Sequence, residues 1–252
     1  MKIYLIRHGQ SAGNVDKDVH NTMADHAIPL SDLGKEQAFT AGQAFASLFN
    51  IDHGTEEDAA QKYGTTIADA NIEILKTIAF ASPRIRVWLS SYERTRQTAD
   101  GIFQGFNDYQ SYNGTINVNM DRRENIRLCE QQFGLFDGVP DDELHIRFPA
   151  EAAHYKKCED QEGRFWARMP LGESRFDVAN RVHESFGTFH RDNERHNIDT
   201  LIVVCHGVTL RAFVMQWLHL TPEWFDAEPN PGNCDIRLIN DGRDEGYIYR
   251  GG

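Results

Sequence analysis

The chain opens MKIYLIRHGQSAGN, residues 1–14. Lys2 to Ile6 reads as a short buried strand, its residues Ile3 to Ile6 a continuous run of β-branched, aromatic and aliphatic side chains. The run stops on Arg7, His8 and Gly9, and the first two are side chains that cost much to bury. The same kind of ending recurs twice. RIRVWLSS (84–91) alternates Ile85, Val87 and Leu89, stops at Ser90 and Ser91, and is followed by ERTRQTADGIFQGF, which places Arg94 in the first turn of a helix. TLIVVC (200–205) is the strongest strand signal in the chain and runs into His206, Gly207 and a helix over GVTLRAFVMQWLHL.

Working outward from these three units, the remaining chain fits one alternating pattern. A polar loop rich in Asn, Asp and His extends to PLSDLG (29–34), after which Ala38, Ala41, Phe45, Leu48 and Phe49 recur at helical spacing. Residues 51–82 read as an insert, with a solvated stretch and then a helix over IADANIEILKTIAF. TINVNM (115–120) has strand character, and the charged segment from Asp141 to Gly163 is partly helical. Phe176, Ala179, Val182, Phe186 and Phe189 predict the buried face of a long helix, and CDIRLIN and YIYR predict closing strands joined by a turn over NDGRDEG. Strands alternating with helices give an α/β fold: a single three-layer α/β/α domain over 1–252 with a mostly parallel sheet.

Composition excludes several classes. The 252 residues carry a formal charge of −12, from 38 acidic and 26 basic side chains, which argues against general nucleic-acid binding and against docking on anionic membranes. Arg7 and His8 interrupt the first apolar run too early for a signal peptide, and His206 and Arg211 break the longest one. Cys129, Cys158, Cys205 and Cys234 form no C-x-x-C pair, so reduced thiols and a cytoplasmic location are expected. No spacing of His, Cys or carboxylates suits a metal.

In a parallel sheet, ligand sites gather at the carboxyl ends of the strands. If the three ends lie together, two imidazoles and two guanidiniums converge there, beside the N-termini of two helices. Guanidiniums hold phosphate oxygens in a fork, helix N-termini favour anions, and a glycine after each histidine leaves room for a ligand at the backbone. An R-H-G tripeptide or a lone loop histidine signifies little by itself. The three equivalent placements carry the reading.

RHGQSAGN, SSYERTRQTA and VVCHGVTLR together resemble the signature segments of the histidine phosphatase superfamily, with its phosphoglycerate-mutase-like fold. PLSDLG is similar to that family's L-[ST]-x-x-G, and LCEQQFG (128–134) to the segment that carries its acid. GESRFDVANRV and EPNPGNCDIRLIN resemble the branch of plant phosphoglycerate-mutase-like proteins and fungal broad-range acid phosphatases. The resemblance implies His8 as nucleophile, Glu130 as proton donor, and His206 beside the transferring group. It also implies Arg7, Arg94, Asn14 and Ser11 as phosphate contacts, with no metal and no cofactor. Cys129 stands where that branch has arginine, Ser91 where a proline is common, and Gln10 where glutamate is commoner.

The expected activity is hydrolysis of a small phosphomonoester through phosphohistidine. The alternative is a phosphoglycerate mutase, with Arg122 and Arg123 as candidates for a substrate carboxylate. A non-catalytic phosphate-binding scaffold would not require both a nucleophile and an acid. His20 and His26 read as solvated loop residues, and Phe133, Phe136 and Trp166 as core aromatics near the entrance. Neither substrate identity nor oligomeric state is legible.

Overall fold

The computed structural model describes residues 1–53, 84–113 and 119–251. The insert expected at 51–82, with its helix over IADANIEILKTIAF, lies almost wholly outside the described residues. Six strands form one sheet: β1 (Lys2–Arg7), β2 (Arg84–Leu89), β3 (Asn119–Glu124), β4 (Thr200–Cys205), β5 (Ile236–Asn240) and β6 (Arg243–Tyr249). Their order is β3-β2-β4-β1-β5-β6. The first four are parallel, whereas β5 runs antiparallel to β1 and β6 antiparallel to β5. The sheet is therefore mixed but mostly parallel.

Alternation along the strands builds a core on each face. Ile3 and Leu5 of β1 join Leu201 and Val203 of β4 on one side, against the helices α4 (Arg175–His196) and α5 (Gly207–Trp217). Tyr4 and Ile6 join Ile202 and Val204 on the other, against α1 (Asp32–His53) and α2 (Glu93–Asn113). The central strand β4 is buried at all six positions, as a strand covered on both faces requires. Close approach of α1 and α2 depends on glycine. A Cβ at Gly42 would lie 2.2 Å from the Ile102 carbonyl oxygen, and one at Gly105 would lie 2.0 Å from that of Phe39.

Several expectations shift. The third strand runs on to Glu124, beyond TINVNM, and the start of that stretch lies outside the described residues. The closing turn is only Asp241-Gly242, both at positive φ (46° and 78°), so β6 starts four residues before YIYR. A two-residue loop with both residues left-handed matches the strand twist, which lets the pairing begin at once. Between Asp141 and Gly163 the helices are Leu144–Arg147 and α3 (Pro149–Glu162). Phe176 is partly exposed, because it lies in the first turn of α4 and packs against Trp166 with ring centroids 4.7 Å apart. The polar loop after β1 contains short helical turns at Ala12–Val15, Val19–Thr22 and Asp25–Ala27. Among the described residues, no helix is long and apolar enough to cross a membrane.

Candidate active site

Register brings the strand ends together. β4 lies between β1 and β2, and the ladder pairs Arg7 with Cys205 and Leu89 with Val204. The next residues along, His8, Ser90 and His206, must then be neighbours. The His8 N–H donates to the Cys205 carbonyl at 3.0 Å, and the Ser90 N–H to the Val204 carbonyl at 3.1 Å. The imidazoles of His8 and His206 lie edge to face, with centroids 5.1 Å apart. They are 4% and 0% exposed, and Arg94 is 5% exposed.

The tautomer of His8 follows from its partner. Nδ1 lies 2.7 Å from the Gly9 carbonyl oxygen, which can only accept, so Nδ1 carries the proton and Nε2 keeps its lone pair. Burial, reinforced by the guanidiniums of Arg94 and Arg7, holds the His8 pKa well below its ordinary value. Burial and Arg94 do the same for His206. Both rings are neutral at neutral pH. Nε2 of His206 lies 2.9 Å from Ser90 Oγ, and Tyr92 packs on the same ring with centroids 5.0 Å apart. Nδ1 of His206 and Nε of Arg7 are buried without a hydrogen-bond partner among the described residues.

A cleft of about 320 Å³ opens from these groups. Arg7, His8, Ser11, Asn14, Arg94 and Glu130 line it, whereas His206 does not: it is fully buried, packed edge to face against His8. Ser11 and Asn14 hold each other: Ser11 Oγ accepts from the Asn14 N–H at 3.2 Å, and Asn14 Oδ1 accepts from the Ser11 N–H at 3.0 Å. This reciprocal cap leaves the amide N–H₂ of Asn14 and the hydroxyl hydrogen of Ser11 as donors. Glu130 accepts at Oε1 from the Gln131 N–H at 2.9 Å. Desolvation nevertheless raises its pKa, against the pull of that bond and of Arg94, Arg7 and Arg181.

Some lining residues carry no sequence signal that would place them here. Asp25, in the short turn before PLSDLG, grips Arg94: Nη1 donates to Asp25 Oδ1 at 3.0 Å and to its backbone carbonyl at 2.6 Å, and Nη2 to Oδ2 at 3.3 Å. His20 is not a solvated loop residue. It lines the cleft, with Nδ1 3.8 Å from Asp25 and 3.6 Å from Asp137, because the loop folds back over Gly13 and Gly138. His26 is exposed. Phe133 and Phe136 line the cleft, and Lys17, Asp137 and Asp141 stand at its exposed end.

Two expectations are corrected. Gly9 and Gly207 make room for the protein itself. A Cβ at Gly9 would lie 2.5 Å from the Gly34 carbonyl oxygen, and one at Gly207 would lie 2.3 Å from Asn230 Oδ1. Arg122 and Arg123 do not line the cleft. Arg122 pairs with Asp100 and lies over the Phe103 ring, and Arg123 is 3.3 Å from Asp192 and 3.5 Å from Asp121. Beside Cys129, which stands where the resembling branch has arginine, Arg181 of α4 supplies a cation and donates to the Cys129 carbonyl at 2.8 Å.

A mostly parallel sheet between two helical layers, with paired histidines and arginines at its carboxyl edge, is the architecture of phosphoglycerate-mutase-like proteins. The sequence agrees: the chain matches the histidine phosphatase superfamily (branch 1) over residues 3–55 and 62–250, and it belongs to that family. It is 31% identical over 255 residues to the phosphoglycerate mutase-like protein AT74H of Arabidopsis thaliana, covering 98% of this chain and 76% of the relative. Identity to the broad-range acid phosphatase DET1 of Saccharomyces cerevisiae is 28%, over 94% of this chain and 84% of that protein. Among solved structures, mycobacterial glucosyl-3-phosphoglycerate phosphatase superposes with a TM-score of 0.60 at 21% identity, covering 98% of each chain.

Proposed function

We propose that the protein is a phosphomonoesterase that works through a phosphohistidine on His8. The observation that carries this reading is the contact of His8 Nδ1 with the Gly9 carbonyl oxygen at 2.7 Å, in a cleft that Arg7 and Arg94 also line. Its Nδ1 is tied to a carbonyl that can only accept, its Nε2 keeps the lone pair, and burial, reinforced by Arg94 and Arg7, disfavours the charged ring. In line attack by Nε2 forms the N–P bond as the ester P–O bond breaks. Glu130, whose raised pKa favours the protonated form, gives its proton to the leaving oxygen. Water then attacks phosphorus, its proton returns to Glu130, and the N–P bond breaks to release phosphate and restore His8.

Arg7 and Arg94, which line the cleft, supply donors for the equatorial oxygens, where charge is spread in the transition state, and His206 stands behind His8 with a buried Nδ1 that has no partner among the described residues. Ser11 and Asn14 supply further donors from the loop. The presence of a broad-range acid phosphatase among the relatives supports hydrolysis. A mutase needs a seat for a second anion, and the engagement of Arg122 and Arg123 outside the cleft weighs against that alternative. Four free cysteines suit a reducing, cytoplasmic setting.

The test is rapid quench with a ³²P-labelled ester. An acid-labile, base-stable phosphoryl label should appear on the protein and vanish with His8→Ala. Release of inorganic phosphate should not need a bisphosphoglycerate primer. Absence of label, or turnover seen only with the primer, overturns the reading.

A further inference from the structure

We propose that the carboxylates at the open end of the cleft select the substrate: monophosphate esters whose alcohol half carries hydroxyl or ammonium groups and no second anion. The inference rests on the phosphomonoesterase reading and extends it to the leaving group.

The cleft has a buried end and an exposed end. His8, Ser11 and Arg94 are buried, whereas Lys17, Asp137 and Asp141 are exposed. A phosphoryl group on His8 therefore directs its alcohol past Glu130 toward those exposed residues. The charges along that path are unequal. Arg7 and Arg94 stand at the buried end, and Arg94 gives three of its five N–H groups to Asp25. Beyond them the lining offers two exposed carboxylates, Asp137 and Asp141, with Asp25 already paired to Arg94, against one lysine and the His20 ring between Asp25 and Asp137.

A second phosphate or a carboxylate on the alcohol would lie among like charges. Hydroxyl and ammonium groups are donors, and ionised carboxylates accept without donating, so Asp137 and Asp141 hold a polyol or an amino alcohol. Phe133, Phe136 and Val139 give an apolar wall for its carbon chain. The arginine pair that would have served a carboxylate is engaged elsewhere, as described above.

The experiment compares kcat/KM for glycerol 3-phosphate and 3-phosphoglycerate, which differ in a hydroxymethyl against a carboxylate, with 4-nitrophenyl phosphate as reference. The expected ratio favours glycerol 3-phosphate at least tenfold, and ethanolamine phosphate should also exceed 3-phosphoglycerate. The double variant Asp137→Asn, Asp141→Asn should bring the ratio down at least threefold. Raising ionic strength to 1 M should narrow the ratio in the unaltered protein, which keeps the test independent of whether the variant folds. Hydrolysis of the reference with equal or better use of 3-phosphoglycerate overturns the specificity proposal alone. A ratio that neither the double variant nor salt moves also overturns it. No phosphate from any ester overturns the phosphomonoesterase reading, and the specificity proposal with it.

Discussion

Arg181 holds the backbone of Glu130. Its Nη2 donates to the Glu130 carbonyl at 3.0 Å, and its Nη1 donates to the carbonyls of Cys129 at 2.8 Å and Arg127 at 2.6 Å. Glu173 fixes the same guanidinium from the other side, at 2.8 Å from Nε. Arg181 is thus a positioning residue for the proposed acid, two helical turns into α4 and 51 residues away in sequence. Lysine cannot span three carbonyls with a planar fork. Arg181→Lys should lower kcat/KM about tenfold or more for alkyl phosphates, whose leaving oxygen needs a proton, and less for 4-nitrophenyl phosphate. Equal losses on both esters would reduce Arg181 to a structural role.

The buried histidines make stability depend on pH. Unfolded, His8 and His206 titrate near 6.5, whereas burial and Arg94 depress both in the folded protein. As pH falls below 6.5, the unfolded chain takes up protons that the folded one refuses, so stability drops. The slope is up to about 1.4 kcal/mol per pH unit for each histidine. Glu130 acts oppositely above its ordinary 4.5, because its folded pKa is raised. Thermal melts between pH 7 and 5 should show a falling midpoint, with a shallower slope in His206→Gln. A parallel slope in that variant would assign the loss to other groups.

Away from the cleft, Arg86 and Asp192 form a buried pair at 3.0 Å with side chains 3% and 7% exposed. Arg86 also reaches the exposed Asp121 at 3.3 Å, a partial substitute. Asp192→Ala strands a buried guanidinium and should cost about 3 kcal/mol by urea unfolding. Asp192→Asn should cost less. A loss under about 1 kcal/mol for the alanine variant would mean that Asp121 takes over the charge.

Gly42→Ala drives a methyl against the Ile102 carbonyl on the neighbouring helix, backbone that no rotamer change can move aside. The expected loss is about 1–3 kcal/mol, as for overpacked cores. The kcat of the folded fraction should stay within about twofold, because α1 and α2 meet far along their length from Arg94. Calorimetry and phosphate release on the same sample check both halves.

Much of the frame is legible in the chain. Ile3 to Ile6, Val87 to Leu89 and Leu201 to Cys205 announce buried strands, because a strand covered on both faces must be apolar throughout. The polar residues that end them announce the sheet edge where His8, Arg94 and His206 meet. The helical face of Ala179, Val182, Phe186 and Phe189 is buried as its spacing requires. Phe176 shares that spacing but not the burial, since it lies in the first turn of the helix and packs on the exposed Trp166. Nothing in the local pattern marks His20, Asp25, Lys17, Asp137 or Asp141, which lie in irregular loops with no period to read.

Local sequence determined which residues are strand, which are helix, and which costly side chains stand at the strand ends, because those properties follow from hydrophobic period and nearest neighbours. Tertiary structure alone decided that Asp25 closes on Arg94, that Arg181 braces Glu130, and that the space beside Gly9 and Gly207 belongs to the protein's own Gly34 and Asn230. Such pairings join segments tens to hundreds of residues apart. Their energies depend on distance and burial, quantities that exist only once the sheet has set the register.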